Sequence, residues 1–386
     1  MVRTRSVSFS RSVIVASFRP FNYTFLLMTV HQIVAGFHVG DAISNETLLI
    51  ANLLSEHGIP NDIYCPRNNI DKMQPTPVKT LDGLERSVQP DDIAFLHLSI
   101  GSPANLLFPK LRCRRIILYH NITPAFFLER LNPTTAQILA NGRKEVALLK
   151  DAADAVYADS AFNASELVEL GYKNPKVLPL VIDDRFGSEK PDPGMMEILK
   201  TGHCEKILFV GRIAPNKRQD RLVTVFAHYR RTVNPNARLL LIGDVGAGME
   251  AYHMLVLGIA HSLEVKDAIF SPGFVTAAEL AACYASADAF VCCSDHEGFC
   301  APLLEAMAWH VPVFANAAGA VPETLDGAGV LVDRETPPEE FAEIIGRVLH
   351  DPALRASVVR RQDERLARFR ARNPWHDVAA ALGLPL

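Results

Sequence analysis

Two glutamates with seven residues between them, Glu297 and Glu305, flank a short glycine turn. Their carboxylates are suited to accept hydrogen bonds from hydroxyl groups. Gly298 lets the backbone approach a ligand closely, and the helix predicted to follow would offer its unpaired N–H groups to an anion. These N–H groups belong to Phe299, Cys300 and Ala301. Hydroxyl-binding carboxylates on both sides of an anion-binding turn suit a nucleotide sugar, in which sugars flank two phosphates.

Spacing alone leaves another interpretation open, in which Glu305 is a solvated helix residue and Glu297 only helps the helix to begin. A second group of residues favours phosphate chemistry. Arg212 and Lys217 follow the apolar segment 206–210, and a guanidinium fork with a point charge suits a diphosphate. Cations placed at a leaving diphosphate stabilise its developing charge. Solvated surface residues are the alternative interpretation of Arg212 and Lys217. If these cations bind a leaving diphosphate, the expected reaction needs no metal ion or other cofactor.

Short apolar segments precede all of these groups and are predicted to be strands. In the first half of the chain they are 28–34, 62–65, 93–98, 115–119 and 155–158; in the second they are 206–210, 238–242, 268–270, 289–293, 311–315 and 329–332. Because helical patterns separate the strands, the fold class is predicted as α/β with two doubly wound parallel sheets. Ligands bind such sheets at the carboxyl ends of the strands, so two facing domains predict a cleft.

The domain boundaries follow from this alternation. Residues 28–183 are predicted to form the acceptor-side domain, 184–194 a linker containing Pro and Gly, and 195–372 the nucleotide-sugar domain, followed by a tail at 373–386. Residues 1–27 carry four arginines and no acidic residue. They superficially resemble a transit peptide, but we favour a misassigned start or a floppy extension.

Composition excludes several classes of protein. The net charge of −4 and pI near 6.4 argue against a nucleic-acid-binding protein. Hydrophobic residues make up 49% of the chain, but no apolar run is long enough to predict a membrane-spanning helix. The seven cysteines show no metal-ligand spacing, which predicts buried thiols in the cytoplasm.

The residues 294–324 and the segment Val210-Gly211-Arg212 with Lys217 resemble two motifs of family 4 retaining glycosyltransferases. These motifs are E-x7-E and V-G-R-x4-K, and the family has the GT-B fold, two Rossmann-like domains that face a cleft. The resemblance implies that Glu297 contacts the donor sugar and Glu305 the ribose. It also implies that the bound nucleotide lies near Gly243 and that its base lies near Val275.

Three segments of the first domain, 40–46, 97–102 and 119–127, look like bacterial exopolysaccharide glycosyltransferases, nearest to the acetan- and xanthan-type α-mannosyltransferases. This resemblance implies that His120 approaches the donor sugar and is important for activity. We assign Gly40 to the donor side. The acceptor-side residues are predicted to be Asp41, Asn45, His97 and Ser99.

The predicted activity is retaining, metal-independent transfer of a hexose, with mannose favoured, from a GDP- or UDP-linked donor. The implied acceptor is a polyprenyl-diphosphate-linked or free glycan of bacterial polysaccharide biosynthesis. Two alternatives stay open: a sugar-nucleotide epimerase or phosphorylase of the same architecture, and a non-catalytic nucleotide-sugar-binding protein.

A lipid-linked acceptor predicts peripheral contact with the inner face of the cytoplasmic membrane. The candidate surface is the basic cluster Lys110, Arg112, Arg114 and Arg115, next to the apolar segment 106–109. The arginine-rich helix predicted at 352–372 is a second candidate, and a solvated surface is the alternative interpretation of both.

Overall fold

The computed structural model describes residues 28–71, 75–183, 186–200 and 204–385. The predicted extension 1–27 and residues 184–185 of the predicted linker lie outside this part. The described chain contains two parallel sheets with helices packed on them, as the alternation of segments predicted. Within the described residues, no helix is long and apolar enough to cross a membrane.

The first sheet has seven strands in the order β3-β2-β1-β4-β5-β6-β7. Its strands are β1 (Val30–Val34), β2 (Asn61–Cys65), β3 (Lys79–Thr80), β4 (Ile93–Leu98), β5 (Arg114–Tyr119), β6 (Ala155–Ala158) and β7 (Lys176–Val177). Every residue of β1 and β4 is buried, because helices cover both faces of the sheet. The two-residue edge strands β3 and β7 were not predicted, since two residues are too few to show an apolar pattern.

The second sheet has six strands in the order β10-β9-β8-β11-β12-β13. Its strands are β8 (Lys206–Val210), β9 (Arg238–Ile242), β10 (Ile269–Gly273), β11 (Ala289–Cys292), β12 (Val313–Asn316) and β13 (Val330–Val332). Strand β12 begins two residues later than the apolar run 311–315 predicted. Pro312 interrupts that run, and it has no N–H to donate to a neighbouring strand.

The helices connect the strands on both faces of each sheet. In the first half of the chain they are α1 (Ala42–Glu56), α2 (Leu84–Ser87), α3 (Pro103–Leu107), α4 (Pro133–Leu148) and α5 (Ala161–Glu169). The remaining helices are α6 (Pro193–Leu199), α7 (Gln219–Thr232), α8 (Glu250–Ser262), α9 (Ala277–Ser286), α10 (Pro302–Ala308), α11 (Val321–Leu325), α12 (Pro338–His350), α13 (Pro352–Arg370) and α14 (Pro374–Leu382).

The residues predicted as a tail, 373–386, contain helix α14, and this helix packs on the first sheet. Val378, Ala379 and Leu382 are fully buried in the same apolar cluster as Val30 and Phe95. A helix as short as α14 is not stable by itself in water, so it gains most of its stability from this burial. The end of the chain therefore returns to the first domain and ties the two domains together.

The basic cluster that was considered for membrane contact lies before β5 or at its start, at the edge of the first sheet opposite to the carboxyl ends of the strands. Arg114 donates a hydrogen bond to the carbonyl oxygen of Leu382, and Phe108 is fully buried. The cluster thus does not border the cleft, and part of it is used to hold α14. The arginines of α13 are also partly engaged, since Arg365 donates to the carbonyl oxygen of Thr324.

Candidate functional site

The order of strands in the second sheet reverses between β8 and β11, and this is the position where open α/β sheets bind ligands. Lys217 lies after β8 and Glu297 lies after β11. The ammonium Nζ of Lys217 is 2.7 Å from Oε1 and 2.6 Å from Oε2 of Glu297. Burial opposes the positive charge, but Glu297 outweighs it and raises the pKa of Lys217. The structure thus joins two predicted site residues that are 80 positions apart in the sequence.

Backbone contacts hold the loops after β8 and β11 together. The N–H of Asp295 donates to the carbonyl oxygen of Asn216 at 2.8 Å. Arg218 bonds the Asp295 carboxylate at 2.6 Å. Arg212, the other predicted cation, is exposed at the end of β8, and its carbonyl oxygen accepts a hydrogen bond from Gln219 at 2.9 Å. Among residues 28–71, 75–183, 186–200 and 204–385, its exposed guanidinium has no hydrogen-bond or ion-pair partner.

The glycine predicted near the nucleotide, Gly243, ends β9 directly beside the turn after β8. Its φ is +149°, and a Cβ atom there would lie 2.0 Å from the carbonyl oxygen of Gly211. Such a distance is far below van der Waals contact, so only glycine fits. The two turns pack backbone to backbone. The position of Gly243 near a nucleotide stays a prediction.

The turn after Glu297 leads into helix α10. Phe299 is buried in the core of the second domain, and Ala301 precedes the first residue of the helix. Cys300 has a φ of +73°, in the left-handed region that residues other than glycine rarely adopt. This backbone conformation turns the chain sharply between the strand and the helix.

Glu305 lies one turn into α10 and is half-buried. Its Oε2 accepts a hydrogen bond from the hydroxyl of Tyr284 at 2.7 Å. Burial raises the pKa of Glu305 above its ordinary value. The tyrosine therefore fixes the orientation of a carboxylate that the sequence analysis assigned to the ribose.

A chain of hydrogen-bonded side chains crosses the carboxyl ends of the first sheet. His97 Nδ1 lies 3.0 Å from His120 Nε2, and His97 Nε2 lies 3.1 Å from Oε1 of Gln32. Burial, together with the neighbouring His120, holds the pKa of His97 well below its usual range. A neutral His97 donates from Nε2 to Oε1 of Gln32 and accepts at Nδ1 from Nε2 of His120. These partners assign the proton of His97 to Nε2.

Two carboxylates flank the other nitrogen of His120. Its Nδ1 lies 3.4 Å from Asp159 and 3.5 Å from Glu46, and all three side chains are buried. Burial disfavours the imidazolium, but the nearby carboxylates of Asp159 and Glu46 outweigh it and raise the pKa of His120. Both ring nitrogens of His120 therefore face groups of its own domain, so the ring does not point a nitrogen into the cleft.

Glu46 supports a prediction about stability and pH. Burial, only partly offset by His120 and by a hydrogen bond from the N–H of Val181, raises the pKa of Glu46 from 4.5 to about 7. A folded-state pKa above the unfolded one means that stability is fully present below about pH 4.5 and is lost as pH rises through 7. We expect Glu46→Gln to raise the free energy of unfolding at pH 8, by up to about 3 kcal/mol, and to change it little at pH 4.5.

Urea unfolding of wild type and Glu46→Gln at the two pH values measures this difference. Glu56→Gln, which changes an exposed carboxylate at the end of the same helix, is the matched control. If Glu46→Gln destabilises the protein equally at both pH values, the carboxylate is a well-paired structural group and the prediction is wrong.

The two domains touch directly across the cleft. A Cβ atom on Gly298 would lie 2.9 Å from the carbonyl oxygen of His120. The turn at residues 297–301, called the donor turn here for its predicted role, is therefore in close contact with this backbone. His296 Nε2 lies 2.8 Å from Oδ1 of Asn121, and Asn163 donates to the carbonyl oxygen of Gly298 at 3.2 Å. The group of His120 that faces the donor turn is therefore its backbone carbonyl.

A carboxylate from the second domain also caps a helix of the first. Both oxygens of Glu323 accept from the N–H of Ala161 at 2.8 Å, at the beginning of α5. Gly40, predicted on the donor side, is similarly close to the second domain, because a Cβ there would lie 3.0 Å from the ring of Phe274. Phe274 directly precedes Val275. The two predicted donor residues Gly40 and Val275 therefore lie on facing edges of the cleft.

The predicted acceptor-side residues differ in their surroundings. His97 belongs to the buried chain described above. Asp41 caps α1, because its carboxylate accepts from the N–H and the hydroxyl of Ser44 at 3.0 Å. Asn45 is exposed in the first turn of α1, and Ser99 is half-buried after β4. These three remain predictions, since nothing about their contacts identifies an acceptor.

Sequence reasoning did not single out Glu46, Asp159 or Tyr284. Glu46 carried a signal, because it lies four residues before the buried Ile50 on the apolar face of α1, where an unpaired carboxylate would be unfavourable. Asp159 and Tyr284 carried no such signal in the residues next to them in the sequence. Their partners are 39 and 21 residues away, respectively, and only the folded chain brings them together.

The cysteines show no metal-ligand spacing in the sequence, but the fold brings two of them close to a carboxylate. The ligand atoms of Cys292, Glu297 and Cys300 all lie within 4.8 Å of one another. The seven residues between the two cysteines do not resemble a common metal-binding spacing, so only the turn between β11 and α10 reveals the cluster.

Comparison with known proteins places this arrangement in context. Residues 197–365 match the family described as glycosyl transferases group 1. A GDP-mannose-dependent alpha-(1-6)-phosphatidylinositol monomannoside mannosyltransferase of Mycolicibacterium smegmatis is 30% identical over 294 residues, 71% of this chain and 72% of the relative. A D-inositol 3-phosphate glycosyltransferase of Kineococcus radiotolerans is 29% identical over 239 residues, and the match spans 57% of this chain and about half (54%) of that relative.

Solved structures support the fold. Anabaena Alr3699/HepE, determined in complex with UDP-glucose, superposes with a TM-score of 0.71 at 19% identity, covering 92% of this chain and 99% of that one. WaaG, a glycosyltransferase involved in lipopolysaccharide biosynthesis, superposes with a TM-score of 0.68 at 14% identity, covering 92% and 98%. At these identities the superpositions establish the GT-B architecture of two Rossmann-like domains.

Proposed function

Because this chain belongs to the glycosyl transferases of group 1, we propose that it is a retaining, metal-independent hexosyltransferase that uses a nucleotide-diphosphate sugar. Mannose is the favoured sugar and GDP or UDP the carrier. The proposal takes support from the relatives of 28–30% identity that are named as GDP-mannose-dependent mannosyltransferases. We propose a lipid-linked or oligosaccharide acceptor of polysaccharide biosynthesis, reached at the inner face of the cytoplasmic membrane.

The observation that carries the proposal is the pairing of Lys217 with Glu297 at the switch point of the second sheet, opposite the backbone of His120. A cation at this position suits the diphosphate of a donor, and a carboxylate beside it suits the hydroxyls of the sugar. When the glycosidic bond breaks, negative charge develops on the leaving diphosphate. Lys217 and the exposed Arg212 would stabilise that charge.

Retention of configuration is compatible with a front-face reaction, in which the departing phosphate oxygen accepts the proton of the attacking hydroxyl. This route requires no basic side chain at the reacting carbon. His120 fits such a mechanism as a positioning residue: its ring is held by His97, Asp159 and Glu46, and its carbonyl oxygen lines the cleft.

Incubation with a panel of nucleotide sugars, with and without excess chelator, tests the proposal. We expect one nucleoside diphosphate to be released on addition of a suitable acceptor, and release to persist in chelator. The anomeric proton signals of donor and product in NMR spectra report retention. Loss of turnover in chelator that magnesium or manganese restores would show that the reaction needs a metal ion.

The assignment of Glu305 to the ribose leads to a separate prediction. Glu305→Ala is expected to weaken binding of the nucleoside diphosphate by roughly 1–3 kcal/mol, since a charge-assisted hydrogen bond is lost. Calorimetric titration with the nucleotide and with its 2′-deoxy analogue measures the effect. If Glu305 binds the ribose, wild type prefers the ribonucleotide and the variant shows little preference.

Tyr284→Phe is the matched control, because it removes the hydrogen bond that orients Glu305 but keeps the carboxylate. An intermediate loss is expected for this variant. Equal affinity of wild type and Glu305→Ala for the ribonucleotide would show that Glu305 does not contact the ribose.

A further inference from the structure

We propose that the donor turn contains a binding site for a thiophilic divalent cation such as Zn²⁺, formed by the thiols of Cys292 and Cys300 and the carboxylate of Glu297. Occupation of this site inhibits sugar transfer. The inhibition rests on the proposed function, whereas the binding site itself does not.

The three side chains come from one turn between a strand and a helix. Cys292 is the last residue of β11, Cys300 lies two residues before α10, and Glu297 lies between them. Their ligand atoms all lie within 4.8 Å of one another. Cys292 and Glu297 are buried, and Cys300 is half-buried. The Cys292 thiol now donates to the hydroxyl of Ser294 at 3.2 Å, a weak bond that a metal would replace.

The chemistry of these ligands selects a particular class of cation. Two thiols favour Zn²⁺, Cd²⁺ or Co²⁺ over Mg²⁺ or Ca²⁺, which prefer oxygen ligands. A tetrahedral zinc ion with Zn–S bonds of about 2.3 Å requires sulfurs about 3.8 Å apart, which is compatible with the present spacing. Three protein ligands leave the fourth position for water. Binding converts both thiols to thiolates and releases their protons to solvent.

The cation would compete with Lys217. Its ammonium now bonds both oxygens of Glu297, at 2.6 and 2.7 Å, so a metal ion that coordinates this carboxylate competes with the ammonium for its oxygens. Once one of its oxygens is coordinated, Glu297 has fewer lone pairs left to accept hydrogen bonds from the donor sugar. The displaced ammonium and the metal ion would also repel each other. Both effects alter the donor site, and this is why occupation inhibits transfer.

The backbone at Cys300 is consistent with a specific use of its thiol. Its φ of +73° is unfavourable for a residue with a Cβ atom and would cost glycine little. The chain thus places a cysteine at a position where the backbone conformation favours glycine. Strained positions of this kind concentrate at functional sites.

Titration of the reduced, full-length protein with Co²⁺ tests the site without reference to activity. Coordination by thiolates gives an intense charge-transfer absorption band in the near ultraviolet. We expect this band in wild type, its retention in Cys113→Ser, and its loss in Cys300→Ser. Cys113 is a matched control because it is also a half-buried free cysteine but lies in the first domain. Absence of the band from wild type, or its persistence in Cys300→Ser, overturns the proposal.

Cys292→Ser is a second variant, but Cys292 is buried and this change can disturb folding, so Cys300→Ser carries the test. Transfer assays with added Zn²⁺ then measure inhibition, relative to the rate of each variant without zinc. We expect chelator to reverse inhibition of wild type and the inhibitory zinc concentration to rise at least about tenfold in Cys300→Ser, since even outer-shell changes at metal sites cost about 10–100-fold in affinity. Equal sensitivity of both proteins overturns the inhibitory role. If no donor is turned over, the proposed function fails, and the cobalt band still reports on the metal site.

Discussion

Lys217→Ala is expected to lower kcat/KM for sugar transfer by about 10²–10³, because it removes a preplaced cation from the developing charge of the leaving diphosphate. Lys217 also neutralises the carboxylate of Glu297, of which only 6% is exposed. The variant would leave that buried charge without its partner, and this adds repulsion towards an incoming diphosphate. Steady-state kinetics with the donor identified from the panel, together with nucleotide titration, measure both effects.

Two further variants separate the causes. Lys206→Ala removes a lysine at the opposite end of the same strand, and it should leave kcat/KM unchanged. Lys217→Ala combined with Glu297→Gln removes the unpaired charge, so it is expected to recover folding stability but not transfer. An unchanged kcat/KM in Lys217→Ala would show that the pair with Glu297 is structural and that another group binds the diphosphate.

The second large effect is expected for His120. Its ring lies between His97 on one side and the carboxylates of Glu46 and Asp159 on the other. His120→Ala removes the ring that connects His97 with the two carboxylates and loosens the backbone that contacts Gly298. Misplacement of a reacting group by about 1 Å can reduce a rate by about 10², and we expect a loss of this size in kcat with a smaller change in the donor KM.

His31→Ala is the matched control for His120. His31 is also a buried histidine of the first sheet, and its Nε2 lies 3.1 Å from a carboxylate oxygen of Asp92, near the amino ends of the strands. This variant should lose stability and retain kcat. If both variants lose only stability, or if kcat of His120→Ala equals that of wild type, the buried chain is structural and does not position the donor site.

The sequence was most informative where the residues that would carry the chemistry are close together in the chain. Glu297, Gly298 and Glu305 lie on one turn and the helix that follows it, so their spacing suggested an anion-binding turn, and the family resemblance then favoured the donor role. The strand pattern was equally clear at β4, β6 and β8, which begin and end at the predicted residues. Apolar strands in a doubly wound sheet are buried on both faces, and this makes them visible as continuous apolar runs. The short edge strands β3 and β7 lack such runs.

The resemblance to a family, and not the local pattern, distinguished among the possible roles of isolated residues. His120 is a lone histidine after a strand, a situation that is more often structural than catalytic. Its motif pointed to the donor sugar, but the structure directs its ring nitrogens inwards and its carbonyl oxygen towards the donor turn. Its approach to the donor sugar stays a prediction. The group of His120 that faces the cleft could not be predicted, because side-chain direction depends on partners elsewhere in the fold.

By itself, the sequence determined the fold class, the two-domain organisation and the turn that carries the candidate site, because apolar periodicity and glycine positions are local properties of a chain. Only the tertiary structure decided which groups meet. It pairs Lys217 with Glu297, surrounds His120 with Glu46 and Asp159, and returns α14 to the first sheet. These contacts join residues from 39 to several hundred positions apart. The energy of such contacts comes from burial and charge pairing, and neither is defined until distant segments have packed together.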